Sequence, residues 1–179
     1  MPIIRPSTRS KISVISEKEN EAVKQPEKTN VMRILEQAKI PYQSHSVPAT
    51  GENSAVDLAR MLGEDPARVF KTLVTIGKSG NHYVFMVPAE KELHLKKAAA
   101  AVGEKSIEMI KAKELLPLTG YIHGGCSPIG MKKPFRTVIH ETAPQFETIF
   151  FSAGKIGFQI EMPFASLQKA VRVSPCDII

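Results

Sequence analysis

Residues 69–88 have the sequence VFKTLVTIGKSGNHYVFMVP, which contains the clearest hairpin signal in the chain. Two runs rich in β-branched and aromatic residues, at 69–76 and 82–88, are typical of strands. Between them, residues 77–80 have the sequence GKSG, whose two glycines are typical of a turn. We therefore predict two strands joined by a short turn.

One residue in the first of these strands does not fit a buried sheet. Side chains alternate along a strand, so Lys71 shares a face with Val69 and Leu73, in a run otherwise suited to burial. If Lys71 lies at an edge of the sheet, its ammonium group reaches water and needs no function. In the other interpretation, the ammonium group projects into a pocket and binds a phosphate, carboxylate or ester oxygen.

A second informative stretch is GGCSPIG at residues 124–130, which we call the glycine loop. Its glycines permit positive φ angles and a close approach to the backbone, while Pro128 restricts the conformation of Ser127. Peptide N–H groups in such a loop can bind a phosphate, a carboxylate or a developing oxyanion. Lys132 and Lys133 follow and favour an anionic partner. The structural alternative is a tight turn between two strands.

The rest of the chain mixes helical and strand patterns. Helical periodicity, N-cap residues and glycine stops predict a helix that begins near Asn30 and further helices at 54–62, 93–102, 111–116 and 163–169. Short apolar runs predict strands at 42–47, 105–109, 121–123, 137–140, 148–152, 157–161 and 171–173. Strands and helices do not alternate regularly, so we predict an α/β domain with one mixed, curved sheet and several helices packed outside it.

Composition limits the domain organisation. A chain of 179 residues with 42% hydrophobic content fits one domain, since a domain near that size buries about 70% of its unfolded surface. Residues 1–28 are rich in Lys, Glu, Ser and Pro, which predicts a flexible tail before a domain at 29–179. Glu17, Glu19 and Glu21 argue against a transit peptide. No stretch approaches the roughly 20 apolar residues of a membrane span.

Charge and cysteine usage point to the class of partner and compartment. The formal net charge of +6 favours an anionic partner, with nucleic acid as the first expectation. Cys126 and Cys176 have no metal-binding spacing and do not suggest a disulfide scaffold. We therefore expect no metal site and a protein of the reducing cytoplasm.

Four separated motifs carry a resemblance to a known family. They are FKTL at 70–73, LKKA at 95–98, TGY at 119–121 with the glycine loop and its lysines, and FETI at 146–149 with SAGK at 152–155. Together these motifs resemble the YbaK/EbsC family of aminoacyl-tRNA deacylases. The similarity follows the family's order from about residue 30 to residue 173, and the predicted tail lies outside it.

The resemblance implies a fold, a reaction and a partner. The implied fold is a single α/β domain on a mixed sheet, related to the editing domain inserted in bacterial prolyl-tRNA synthetases. The implied reaction is hydrolysis of mischarged tRNA(Pro), above all Cys-tRNA(Pro), without a metal or organic cofactor. Because a small domain has little surface with which to select one tRNA, we expect prolyl-tRNA synthetase to assist.

The resemblance also assigns residue roles by position. Lys71 matches the family's functional lysine, which binds near the aminoacyl ester or the terminal adenosine of the tRNA. Gly124 and Gly125 match the loop whose backbone approaches the substrate, and Ser152 matches a serine on the facing wall of the pocket. These matches make Lys71, Gly124 and Gly125 the catalytic candidates.

Other residues of the same motifs are candidates for binding alone. Ser127, Pro128 and Gly130 complete the glycine loop and are expected to help bind the substrate. Lys132 and Lys133 are candidates for contact with tRNA phosphates. The alternative for these two lysines is a solvated basic turn.

No protein nucleophile is evident. The sequence contains no Ser/His/Asp triad and no zinc pattern, and His45, His123 and His140 are isolated, which favours structural roles. In the YbaK family the thiol of the misattached cysteine attacks its own ester and forms a thiolactone, while loop N–H groups would stabilise the oxyanion. Cys126 has no activating base and does not match the family's catalytic residue, so we expect it to be structural.

One departure from the family keeps two alternatives open. Close relatives carry aromatic side chains before the second helix, whereas residues 46–54, SVPATGENS, have none after Tyr42. This departure concerns the choice of substrate and not the fold or the reaction class. The alternatives are an Ala-tRNA(Pro) editing hydrolase that uses a positioned water and a non-catalytic module that binds aminoacyl or nucleotide ligands.

Overall fold

The structure, a computed structural model, describes residues 27–179, so nearly all of the tail predicted at 1–28 lies outside the described residues. The described helices are α1 Asn30–Gln37, α2 Ala55–Leu62, α3 Leu95–Val102, α4 Ala112–Thr119 and α5 Phe164–Ala170. The described strands are β1 Gln43–Ser46, β2 Phe70–Gly77, β3 His82–Pro88, β4 Ile107–Met109, β5 Arg136–His140, β6 Ile149–Ser152, β7 Phe158–Met162 and β8 Val173–Cys176. Within residues 27–179 no helix is both long and apolar enough to cross a bilayer.

The predicted hairpin is confirmed and lies at the centre of the larger sheet. Strands β2 and β3 pair antiparallel, with Phe70 opposite Pro88 and Ile76 opposite His82. The full order is β4-β2-β3-β5-β8, in which β3–β5 and β5–β8 are parallel pairs. This mixture of parallel and antiparallel pairs in an α/β domain confirms the predicted fold class.

The strands form two sheets where we expected one. Strands β1, β7 and β6 make a separate antiparallel sheet, and a single bridge between Val69 and Phe150 connects it to the larger sheet. Sequence periodicity identifies strands but does not specify which edges pair, because pairing depends on contacts between distant segments. The sequence therefore predicted the strands but not their division into two sheets.

Strand β3 is buried on both faces, which explains its uninterrupted apolar sequence. Val84 and Met86 face a large core formed with α1, α5 and the smaller sheet. Phe85 and Val87 face a second core closed by α3. Each fully buried side chain of this size contributes about 1.5–3 kcal/mol. The central hairpin is therefore stabilised by apolar packing on both faces of the sheet.

Local signals account for the helix ends. Ser54 and Asp57 form a capping box at the start of α2, and Gly63 ends that helix in the left-handed conformation, as predicted. At α1 the N-cap is Thr29, whose hydroxyl accepts the N–H of Met32, and not Asn30 as expected. Threonine and asparagine are both favoured N-caps, so the sequence did not separate the two positions.

The strand predicted at 121–123 is wrong, and so is the expectation that a strand leads into the glycine loop. Helix α4 continues through Pro117 to Thr119 and ends at Gly120, which has φ +85°. A proline usually ends a helix at the preceding residue, which is why the predicted helix stopped three residues early. The chain therefore enters the loop from a helix, and the Tyr121 hydroxyl donates to the Ile129 carbonyl across the base of the loop.

Gly130 should be the least replaceable glycine of that loop. Its φ is +78°, and a Cβ there would lie 2.8 Å from the Tyr121 hydroxyl and 3.0 Å from Ile34 Cδ1. We expect Gly130→Ala to lower the free energy of unfolding by about 2–5 kcal/mol, from backbone strain plus overpacking. The control is Gly63→Ala, because Gly63 has φ +69° with no atom within 4 Å of a built Cβ; its expected cost is about 1–2 kcal/mol. If urea unfolding gave the same loss of unfolding free energy for Gly130→Ala and Gly63→Ala, overpacking at Gly130 would be contradicted.

Candidate active site

A cavity of about 540 Å³ lies where the start of β2 meets the glycine loop. That volume is typical of a site for a small ligand or for one end of a larger one. Its wall contains polar groups from β2, the glycine loop, β6 and β7, namely Lys71, Thr72, Gly124, Ser152 and Gln159. Further polar side chains in the wall come from the adjoining segments and are Asn53, Ser54, Glu90, Glu92 and His123. The structure thus brings together Lys71, Gly124 and Ser152, three site residues predicted from distant parts of the sequence.

Lys71 is positioned by the turn that precedes β2 and by the pairing of the strand. A 3-10 turn at Pro66–Arg68, capped by the Asp65 side chain, leads the chain into β2, where Lys71 lies opposite Val87. Strand β4 pairs with β2 only at residues 75–77, so the first half of β2 has no β4 partner on that edge. The cavity lies beside this half of β2, and Lys71 lines it.

The ammonium group of Lys71 is only weakly held. Its Nζ atom lies 3.4 Å from the Ala89 carbonyl oxygen and 3.4 Å from Glu92 Oε1. The Lys71 side chain is 23% exposed, whereas that of Glu92 is 91% exposed. An ion pair with so exposed a partner is worth about 0–1 kcal/mol. A substrate oxygen can therefore replace Glu92 at little cost.

The glycine loop presents backbone donors, although not all of those expected. Gly124 has φ +83° and lines the cavity. Within residues 27–179, no hydrogen-bond acceptor is present for the backbone N–H groups of Gly124 and Cys126. Gly125 differs, because its N–H donates to the Ile122 carbonyl at 3.0 Å, and a Cβ built at Gly125 would lie 3.3 Å from the backbone nitrogen of Ile156. Gly124 and Cys126 are thus the cavity-lining residues of the loop, and both have unpaired backbone donors.

The other predicted loop residues lie outside this cavity. Ser127 is fully buried, and its hydroxyl accepts the N–H of Ile129 at 3.3 Å. Pro128 and Gly130 line a different cleft. Their observed contacts shape the loop, so the structure does not bring these three residues together with Lys71.

The two lysines after the loop also differ from each other. Lys132 extends along Gly120, and its Nζ donates to the Pro117 carbonyl at 3.3 Å. Lys133 is exposed, lines the different cleft and has no ion-pair or hydrogen-bonding partner for its side chain among residues 27–179. Only Lys133 therefore has a free side chain to offer a phosphate.

Cys126 is placed in the wall of the cavity but is poorly suited to attack an ester. The residue is 8% exposed, and burial raises the pKa of its thiol to about 12. At neutral pH the group is therefore protonated, and a thiol is a much weaker nucleophile than a thiolate. This chemistry supports the structural role expected for Cys126.

Ser152 and Gln159 face each other across the β6–β7 pair. The Ser152 hydroxyl accepts the N–H of Gly154 at 3.1 Å, which leaves its own hydrogen available for donation. Gln159 is 2% exposed and lines the cavity, and its side-chain amide forms no hydrogen bond within the described chain. The amide is therefore free to bind a ligand.

Gln159 and Thr72 are site residues that the sequence reasoning missed. The Thr72 hydroxyl oxygen is buried without a hydrogen-bonding partner among residues 27–179, and Thr72 also lines the cavity. A buried polar group left unpaired costs about 1–3 kcal/mol, so the Thr72 hydroxyl, in the same wall as the unpaired Gln159 amide, indicates a place for a polar ligand. The available signal was Gln159 itself, a polar residue flanked by the apolar residues Phe158 and Ile160.

Two of the three histidines considered above, His45 and His140, lie away from the cavity. His45 Nε2 lies 2.7 Å from Glu161 Oε2, in a network completed by Arg68 and Thr148 away from the cavity. Burial acts to raise the pKa of Glu161, but hydrogen bonds from Thr148 and His45 outweigh it, so this pKa lies below its usual value. His140 is buried, and burial lowers its pKa. Only His123 lines the cavity.

The arrangement suits binding and polarisation of an ester. An ammonium group, free backbone N–H groups, a hydroxyl and an amide surround one space, so a carbonyl oxygen there could gain negative charge. No serine, threonine or cysteine side chain in the wall is hydrogen-bonded to a histidine or carboxylate side chain of the described residues. In the described part of the chain, no three His, Cys, Asp or Glu residues are clustered as metal ligands. Such a site can catalyse ester cleavage when the nucleophile comes from the substrate or from water.

The comparison with known families identifies the class of protein to which this fold and cavity belong. The chain belongs to the aminoacyl-tRNA editing domain family, whose sequence profile matches residues 50–170. This match confirms the family resemblance drawn from the sequence motifs.

Individual proteins of known name and one solved structure are also similar to this chain. EbsC of Enterococcus faecalis, provisionally named a Cys-tRNA(Pro)/Cys-tRNA(Cys) deacylase, is 48% identical over 140 residues, which cover 78% of this chain and 85% of EbsC. The proline–tRNA ligase of Thermosipho africanus is 32% identical over 76 residues, which cover 42% of this chain and 13% of the ligase. A solved structure described as a candidate trans-editing enzyme for prolyl-tRNA synthetase has a TM-score of 0.74 at 22% identity, over 85% of this chain and 98% of that one. That structure bears on the fold alone.

Proposed function

We propose that this protein is a trans-acting aminoacyl-tRNA deacylase that removes cysteine from mischarged Cys-tRNA(Pro). The observation that carries the proposal is the cavity in which Lys71, the N–H of Gly124 and Ser152 surround a space without a protein nucleophile. The 48% identity to EbsC supports the same substrate. The deacylase domain we propose comprises residues 29–179, and the compartment is the cytoplasm, where aminoacyl-tRNA is used.

Binding is the first task of the site. Lys71 would bind an ester or ribose oxygen at the acyl end of the tRNA. This contact would replace the weak contact between the Lys71 ammonium group and Glu92. The Ser152 hydroxyl and the Gln159 amide would bind the polar groups of the aminoacyl moiety from the opposite wall. Gln159 also offers a neutral carbonyl oxygen to the substrate's α-ammonium group.

The chemical step uses the sulfur of the substrate. The deprotonated thiol of the esterified cysteine attacks its own carbonyl carbon, and the oxyanion accepts hydrogen bonds from the N–H groups of Gly124 and Cys126. The ester C–O bond then breaks, a four-membered thiolactone leaves, and the ribose oxygen takes up a proton. Well-oriented intramolecular attack can reach effective molarities of about 10⁵–10⁸ M, which ring strain reduces here.

A second candidate is hydrolysis of Ala-tRNA(Pro) by a positioned water. The observation that favours it is the wall near α2, where Asn53, Ser54 and Ala55 line the cavity in a segment without aromatic side chains. Ser152 and Gln159 would then orient the water in place of a substrate thiol. The partner we propose for either reaction is prolyl-tRNA synthetase, on the basis of the partial similarity to a proline–tRNA ligase.

A deacylation assay tests the proposal. The protein is incubated with Cys-tRNA(Pro) and with Pro-tRNA(Pro), each with and without prolyl-tRNA synthetase, and the release of labelled amino acid is followed. We expect release of cysteine at least about tenfold above the spontaneous rate, and release of proline at the spontaneous rate. Binding of Cys-tRNA(Pro) without release would instead identify a non-catalytic module and contradict the proposal.

A further inference from the structure

A second cleft, of about 1040 Å³, has no part in the reaction above. The glycine loop contributes to both sites. Gly124 and Cys126 line the active-site cavity, whereas Pro128 and Gly130 line the second cleft. The remainder of the cleft comes from the segment before β5, the start of β5, the end of α5 and the start of β8. We call it the basic cleft, for the reason that follows.

The charged residues in this cleft are all cationic. They are Lys133, Arg136 and Arg172, and no aspartate or glutamate lines the cleft. Lys133 and Arg172 are exposed, and within residues 27–179 neither side chain has an ion pair or a hydrogen bond. Arg136 donates to the carbonyl groups of Ala101 and Val102 at the end of α3, which fixes its position without neutralising its charge. The cleft is therefore a concave surface with uncompensated positive charge.

This electrostatic pattern fits a phosphate backbone better than a protein. Met131, Phe135 and Val171 also line the cleft but are half-buried, whereas its three charged side chains are exposed. Charged residues, lysine above all, are depleted at the centre of protein interfaces. A polyanion, in contrast, gains from several unpaired cations that need no sequence-specific geometry. Arginine and lysine are also the side chains that most often contact phosphate oxygens.

The two sites are close enough for one RNA to occupy both. Six peptide units separate Gly124 from Gly130, so the stretches of loop in the two sites are at most about 22 Å apart even if fully extended. A few nucleotides span such a distance. An aminoacyl end held in the cavity would therefore leave the adjacent backbone near the basic cleft.

We propose that the basic cleft binds the sugar–phosphate backbone of the substrate RNA, next to the aminoacylated end held in the cavity. Lys133 and Arg172 make the phosphate contacts, and Arg136 adds a fixed positive charge. This proposal rests on the proposed function, since it assumes that the cavity holds an aminoacylated RNA end. It assigns a role to Lys133 but not to Lys132.

The test compares two double variants with the same change of charge. Lys133→Gln/Arg172→Gln removes the two free cations of the cleft. Lys78→Gln/Lys105→Gln removes two exposed lysines without side-chain partners in the described chain, one in the β2–β3 turn and one before β4. Thermal unfolding of both variants establishes that each is folded. Each variant is assayed on full-length Cys-tRNA(Pro) and on 3′-O-cysteinyl-adenosine, which retains the ester but lacks the backbone.

We expect the cleft variant to raise KM for Cys-tRNA(Pro) by about tenfold with little change in kcat, because two phosphate contacts are lost. Its activity on cysteinyl-adenosine should equal that of the wild type, and the control variant should match the wild type on both substrates. For binding of uncharged tRNA(Pro), the slope of log Kd against log salt should decrease by about 1.4–1.8 in the cleft variant.

Three results would overturn the proposal. One is a cleft variant that behaves like the control on tRNA. Another is an equal loss of activity on both substrates, which would show that the two substitutions change the structure of the active-site cavity and do not remove contacts with the RNA backbone. The third is a defect that appears only when prolyl-tRNA synthetase is present, which would identify a protein partner. If the wild-type protein cleaves neither substrate, the proposed function fails, and the salt slope for uncharged tRNA(Pro) alone decides the proposal for the cleft.

Discussion

Replacing Lys71 with alanine is expected to lower kcat/KM for deacylation of Cys-tRNA(Pro) by about 10²–10³-fold, the loss typical of a donor to a developing charge. The fold should survive, because the ammonium makes only two long contacts of 3.4 Å and its charged partner is almost fully exposed. We expect the free energy of unfolding to change by less than about 1 kcal/mol. Single-turnover assays and urea unfolding of the same preparation measure both quantities.

Two further variants separate charge from geometry at Lys71. Lys71→Arg keeps the positive charge but replaces the compact ammonium group with a planar guanidinium group. We therefore expect a smaller loss of kcat/KM than in Lys71→Ala, caused by the changed geometry alone. Lys78→Ala removes an exposed lysine at the other end of the same hairpin and should have wild-type activity. A loss confined to KM would identify Lys71 as an anchor for the RNA end, whereas a loss in kcat would indicate contact with the reacting ester. Wild-type turnover by Lys71→Ala would remove this residue from the mechanism.

Cysteine should be released from tRNA(Pro) at least about 10²-fold faster than alanine, since only cysteine carries an internal nucleophile. Charging one tRNA(Pro) with cysteine, serine or alanine and measuring release isolates this effect, because serine is nearly the same size as cysteine and lacks the sulfur. The rate on Cys-tRNA(Pro) should rise with pH towards the pKa of an ordinary thiol, about 8.5, as the thiolate fraction increases. Equal release of cysteine and alanine would favour the positioned water.

Cys126→Ala provides the control for sulfur in the protein. Burial raises the pKa of the Cys126 thiol to about 12, so this group is protonated over the pH range in which the substrate thiol ionises. We expect the variant to keep the activity and the pH profile of the wild type, since its backbone N–H is retained. Loss of turnover together with loss of the pH dependence would indicate that the protein thiol is the nucleophile.

The sequence predicted correctly those features that depend on residues close to one another in the chain. The β2–β3 hairpin followed from two apolar runs and a glycine turn, and Lys71 was conspicuous because it interrupts one of them. The end of α2 at Gly63 was likewise predicted from a local pattern. In each case the decisive contacts lie within a few residues of one another or within one hairpin.

The features that were missed depend on contacts between distant segments. Nothing local indicates that the Gln159 amide lacks a partner, because that depends on how β7, β2 and the loop enclose the cavity. The glycine loop was treated as one site, whereas its backbone turns so that Gly124 and Gly130 line different concavities. The division of the strands into two sheets is a third case, since edge pairing is decided by packing over the whole domain.

The single bridge between Val69 and Phe150 has a consequence for how selectivity could evolve. Lys71 belongs to the larger sheet, whereas Ser152 and Gln159 belong to the smaller one. The aperture between these groups is therefore set by the tilt of one sheet against the other. Substitutions among the apolar residues at that junction can widen or narrow the aperture and so change which amino acid fits, while every residue that touches the substrate stays the same.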